Sequence, residues 1–111
     1  MDNATAVKIC ASLAQESRLG LFRLLVQAGP EGLSAGTIAD KLGLPSSTLS
    51  FHLKELVHAG VVQSRQAGRF IYYSADFATM NGLLAFLTEN CCGGQPQECC
   101  PPPVACQKSP S

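Results

Sequence analysis

A mainly helical fold with one small β-hairpin is what this sequence predicts, on three observations. Apolar residues recur at spacings of three and four through most of the chain up to residue 90. Breakers punctuate that pattern at Gly29-Pro30-Glu31-Gly32, at Gly43-Leu44-Pro45 and at Gly60. Two β-prone runs, Val61 to Arg65 and Phe70 to Ser74, flank a turn that contains Gly68.

The elements follow in order. Residues 4–14 place Ala6, Ile9, Cys10, Leu13 and Ala14 on one stripe and read as a short amphipathic first helix, with Cys10 as a packed thiol. Residues 17–28, apolar on most sides, form a second and central helix that ends at the Gly-Pro pair. Ser34 is a candidate N-cap for a short third helix, SAGTIADKL, which stops at Gly43. Leu44 cannot continue it, because the residue before a proline is pushed out of the helical region. A fourth helix starts at Pro45 or Ser46 and is stopped by Gly60. Leu49, Leu53, Leu56 and Val57 fix its inner face, and Ser46, Ser47, Ser50, Phe51 and Lys54 fall largely on the other side. The hairpin comes next, turning through residues 66–69. Asp76 then caps a fifth helix, in which Phe77, Met80, Leu83, Leu84 and Leu87 form one apolar stripe; packing accounts for Met80 there.

The 111 residues suffice for one domain, and a hydrophobic fraction of 46% suits a globular core. The longest apolar runs are too short to span a membrane. The N-terminus carries Asp2, Lys8 and Glu16 and has no signal-like apolar stretch, so a cytoplasmic location is expected. Net charge is zero. Between Asp40 and Tyr73, however, four basic residues face two acidic ones. That excess is modest, so any DNA affinity must come from geometry and helix termini as well as bulk charge. From Asn90 the composition turns abruptly to Cys, Gly, Pro and Gln. The expected division is therefore a folded domain over residues 1–90 and a flexible Cys/Pro-rich tail over 91–111.

A short helix, a tight turn and a second helix with a polar outer face is a helix-turn-helix, and a following hairpin with arginines makes it winged. The major groove admits one α-helix, whose N-terminal residues reach base edges. The predicted DNA contacts are Ser46, Ser47, Thr48, Ser50, Phe51, His52 and Lys54 on the fourth helix, with Arg65 and Arg69 on the wing. Each has a simpler role open to it. His52 sits among core-facing leucines, where a histidine can bond the backbone. Ser50 can be a solvated helix residue, and the arginines can be solvated charges. His58, near the end of the same helix, can favour the helix C-terminus.

Residues 9–84 resemble the ArsR (ArsR/SmtB) family of bacterial metalloregulatory repressors. The matching stretches are Asp40-Lys41-Leu42-Gly43-Leu44, Ser46-Ser47-Thr48-Leu49-Ser50-Phe51-His52-Leu53 with Leu56, Ala59-Gly60-Val61-Val62, and Arg65 to Tyr73. The resemblance implies a homodimer joined through the first and fifth helices, seated on palindromic double-stranded operator DNA. It also implies that an inducer lowers DNA affinity.

Five of the six cysteines lie in the tail. Family sites elsewhere do not fit: the third helix has no cysteine, and the fifth has Asp76 but no histidine. Any sensing groups must then be tail thiols. Cys91-Cys92 and Cys99-Cys100 are two vicinal pairs joined by a loop with two glycines, which folds back easily. An all-sulfur donor set selects soft ions. Trivalent arsenic takes three sulfurs in a pyramid, and similar arsenic-responsive family members place a Cys-Cys pair and a third cysteine in this region. The expected ligands for As(III) are therefore Cys91, Cys92 and either Cys99 or Cys100, with Cys99 nearer along the loop; Sb(III) and methylarsenite stand beside As(III) as alternative inducers. Zinc or cadmium on four cysteines, a disulfide switch, and an idle tail stay open as alternatives. Cys106, beyond Pro101-Pro102-Pro103, reads as a spare. No cofactor is expected. An enzyme is not, because a thiol reductase needs a phosphate-cradling loop beside an activated cysteine, and the sequence shows none.

Overall fold

The computed structural model describes residues 1–89. Its elements are α1 (Asn3–Leu13), α2 (Glu16–Ala28), β1 (Leu33–Ser34), α3 (Ala35–Leu42), α4 (Ser46–Ala59), β2 (Val62–Ala67), β3 (Phe70–Ala75) and α5 (Phe77–Leu87). The tail, with Cys91, Cys92, Cys99, Cys100 and Cys106, lies outside the described residues.

Local chemistry sets the helix limits. The first backbone N–H groups of a helix lack partners inside it, so a side-chain acceptor just before it fixes the start. Asp2 accepts from the Thr5 N–H at 2.8 Å, Ser34 from Thr37 at 3.3 Å and Asp76 from Thr79 at 3.0 Å. Gln15 does the same for α2 through Arg18 at 2.9 Å. Gly43, in left-handed conformation at φ 66, ends α3, and its N–H donates to the Ala39 carbonyl at 2.8 Å.

The core lies where α1, α2, α3 and α4 meet the base of the hairpin. Ile9, Leu21, Leu25, Ile38, Leu49, Leu56 and Val61 are fully enclosed, and Phe22, Leu53, Val62 and Ala75 complete the cluster. Truncating one of these leucines to alanine costs about 2–5 kcal/mol, a large share of a small domain's stability.

The sheet has three antiparallel strands in the order β1-β3-β2. The hairpin runs in register from Val62 opposite Ala75 to Ala67 opposite Phe70, leaving a two-residue turn, Gly68-Arg69. That is shorter than the four-residue turn the sequence suggests, because Gln66 and Ala67 pair as strand. β1 has no counterpart among the elements expected from the sequence. Leu33 pairs with Tyr73 and Ser34 with Tyr72, so Ser34 closes a strand and caps α3 at once. Gly32 makes this approach possible: at φ 75, its position brings the chain so close to β3 that a Cβ would collide with the Tyr73 carbonyl.

Further expectations are corrected. Val57, placed on the inner face of α4 with Leu49, Leu53 and Leu56, is 37% exposed and lies off that face. Cys10 is exposed and not packed, because Ala6, Ile9 and Ser12 define the inner face of α1. The α5 stripe is not a single buried face. Phe77, Met80 and Leu83 lean on the core, whereas Leu84 and Leu87 are 50% and 59% exposed, and no α5 residue is fully buried. Among the described residues no helix is long and apolar enough to cross a membrane.

Candidate nucleic-acid interface

The α3–turn–α4 unit presents one side of α4 to solvent. Ser46, Ser47, Thr48, Ser50, Phe51 and Lys54 are all exposed, while Leu49, His52, Leu53 and Leu56 face inward. The split follows helical geometry: positions 49, 52, 53 and 56 stand at i, i+3, i+4 and i+7. His52 therefore leaves the predicted contact face. It is 7% exposed, and its Nδ1 has no hydrogen-bond partner among the described residues. Its ring lies 5.8 Å from that of Phe51, tilted by 59°.

Pro45 precedes α4 in extended conformation and offers no side-chain cap. The first N–H groups of α4 thus keep their donor capacity, at the end of the helix where the peptide dipoles leave partial positive charge. Three serine and threonine hydroxyls, Ser46, Ser47 and Thr48, surround that end. Such an end suits a phosphate oxygen, and the exposed hydroxyls beyond it can donate to or accept from bases.

The wing's two arginines differ. Arg69 occupies the turn and is exposed. Arg65 is engaged within the chain: its Nη2 donates to the Glu31 carbonyl at 2.9 Å, and its guanidinium carbon sits 5.0 Å from the centre of the Tyr72 ring. Tyr72 is its cross-strand partner in the β2–β3 register. Arg65 thereby ties the loop after α2 to the wing.

Two further surfaces escape a reading of the sequence. An apolar groove of about 440 Å³ runs between α1 and the end of α5, lined by Ala6, Val7, Cys10, Ala14, Phe86 and Leu87 among others. Its signal is the alanine-rich α1, which carries apolar residues on both sides. A polar cleft of about 200 Å³ gathers Lys8, Ser12, Arg18, Glu55 and His58 where α1 meets the end of α4. Within it Arg18 Nε donates to the Ser12 carbonyl at 2.7 Å. Among the described residues no group of three or more His, Cys, Asp or Glu side chains could hold a metal.

A short helix, a tight turn, a helix with an exposed polar face and an adjoining hairpin define a winged helix-turn-helix DNA-binding domain. Residues 13–65 match the family described as helix-turn-helix domain. The chain is 36% identical over 73 residues to the uncharacterized HTH-type transcriptional regulator YceK of Bacillus subtilis (strain 168), covering 66% of this chain and 72% of YceK. Its structure resembles that of an ArsR-like transcriptional regulator from Rhodococcus sp. RHA1, with a TM-score of 0.66, 30% identity and 76% of each chain covered. It also resembles a possible transcriptional regulator for arsenical resistance, with a TM-score of 0.61 and 29% identity, covering 72% of this chain and 79% of that one. The chain belongs to the ArsR family of winged helix-turn-helix transcriptional regulators.

Proposed function

We propose that the protein is a homodimeric repressor of an arsenic-resistance operon, released from a palindromic operator when trivalent arsenic binds thiolates of its tail. The observation that carries this reading is the donor set. Cys91-Cys92 and Cys99-Cys100 follow the last helix closely in sequence, with no histidine among them. No rival ligand cluster exists among the described residues. Sulfur alone favours soft ions. With arsenous acid, each thiol exchanges one As–O bond for an As–S bond and releases one water. The structural neighbour named as a possible transcriptional regulator for arsenical resistance supports the same reading.

The dimer is supported by the apolar groove of α1 and α5 and by the exposed Leu84 and Leu87, which a second copy would cover. Two copies would present their α4 helices and Arg69 wings to half-sites about 34 Å apart. Ser46, Ser47, Thr48, Ser50, Phe51 and Lys54 make the groove contacts. Arsenic captured just beyond α5 would alter the helix that joins the copies and so the spacing of the two α4 helices. Switching occupancy nearly completely requires the ligand to favour the released state by about 5.5 kcal/mol.

The test is release of fluorescent operator DNA titrated with arsenite, antimonite, methylarsenite, zinc, cadmium and peroxide. Release by arsenite at the lowest concentration supports the proposal. Release by zinc or cadmium alone would replace it with a metal-ion sensor, and release by peroxide alone with a disulfide switch.

A further inference from the structure

The exposed face of α4 holds one residue that its chemistry does not explain. Ser46, Ser47, Ser50 and Lys54 are polar, as a solvated helix face should be, yet Phe51 among them is 55% exposed. The core is not its destination, since Leu49, Leu53 and Leu56 fill the opposite side. Phe51 is the sixth residue of α4, in the N-terminal half of the helix, the part that enters a major groove. Its ring also has a neighbour: the buried ring of His52 lies beside it, with centroids 5.8 Å apart and planes tilted by 59°. That separation falls in the range of favourable aromatic pairs. An apolar ring thus faces outward before any DNA arrives.

The major groove offers such a ring one apolar partner, the C5-methyl group of thymine. The neighbouring hydroxyls cannot replace it as a reader. Serine both donates and accepts, so Ser47 and Ser50 tolerate several bases. Resting on the DNA-binding reading above, we propose that Phe51 reads a thymine methyl in each operator half-site, making it the residue that distinguishes T·A from C·G there. His52 is the positioning residue behind it.

The experiment begins with selection of binding sites from a random duplex library by the full-length protein and by Phe51→Ala. The variant removes a half-exposed side chain outside the core together with its contact to His52, so the domain should stay folded with a melting temperature only a few degrees lower. Wild-type selections should share an invariant thymine in each half-site, and Phe51→Ala selections should lose that preference. Deoxyuridine then replaces that thymine in the selected operator, deleting only the methyl group. Wild-type affinity should fall about fourfold for one half-site and about fifteenfold for both, as burial of one methyl per site predicts. Phe51→Ala should bind the two operators within about twofold of each other, which completes a double-mutant cycle. Equal wild-type binding to thymine and deoxyuridine operators would overturn the proposal. So would a Phe51→Ala protein as sensitive to the methyl as the wild type. Failure of the wild type to select any duplex would sink the underlying DNA-binding reading and this proposal with it.

Discussion

Replacing Arg65 by alanine separates two ways in which a wing arginine can serve DNA binding. In the structure its guanidinium donates to the Glu31 carbonyl at 2.9 Å and lies over Tyr72 at 5.0 Å. Both partners belong to the protein, so the variant should loosen the joint between the wing and the loop after α2. An exposed hydrogen bond from a charged donor contributes about 0.5–1 kcal/mol once solvent screening is allowed for, and an exposed cation–π contact about as much. The sum, about 1–2 kcal/mol, corresponds to a drop of about 4–10 °C in melting temperature for a domain of this size. Operator affinity should fall by no more than the same free energy, because binding must then restore the wing position. The slope of log affinity against log salt should stay the same, since no phosphate contact is lost. Thermal unfolding followed by circular dichroism, together with operator titrations at several salt concentrations, measures both. A salt slope reduced by about 0.9 with an unchanged melting temperature would refute the reasoning and place Arg65 on a phosphate.

Arg69→Ala should behave in the opposite way, with melting unchanged and the salt slope reduced by about 0.9, in the same titrations. Gly32→Ala should destabilise the domain by about 2 kcal/mol or more, seen in denaturant unfolding, because the left-handed backbone and the Tyr73 carbonyl both oppose a Cβ there. Leu87→Glu should shift sedimentation towards the monomer, since it places a charge in the α1–α5 groove. Cys91→Ser and Cys92→Ser should each retain operator binding and lose release by arsenite; loss of binding without arsenite would point to a structural role for those thiols.

What the sequence made legible was local. Ser34 and Asp76 as caps, Gly43 and Gly60 as stops and the α4 face of Leu49, Leu53 and Leu56 each depend on residues within a turn or two. What escaped it was non-local. Leu33-Ser34 is too short to show any alternation, and it is a strand only because Tyr72 and Tyr73 lie beside it. Arg65 reads as a free wing charge until Glu31, far away in sequence, is brought under it. Cys10 and Leu84 sit on stripes that satisfy helical periodicity. Periodicity says which residues share a side, not whether that side meets the core of its own chain. His52 was ambiguous for the same reason, as its spacing fits the inner face while its chemistry suits a base. For the tail, the guides were thiol spacing, donor softness and the resemblance to arsenic-responsive family members, and they point to an ion class without a geometry.

The attachment of β1 has a consequence for how the reader of DNA is assembled. Ser34 ends a strand bonded to the wing and begins the helix that leads into the turn before α4. The wing and the first helix of the helix-turn-helix are thus linked through one residue, with no slack between them. Amide hydrogens of β3 and α3 should accordingly exchange as one cooperative opening unit and not as a fraying hairpin beside a stable helix. Because their separation is fixed in the free protein, less conformational freedom remains to be lost when the duplex docks.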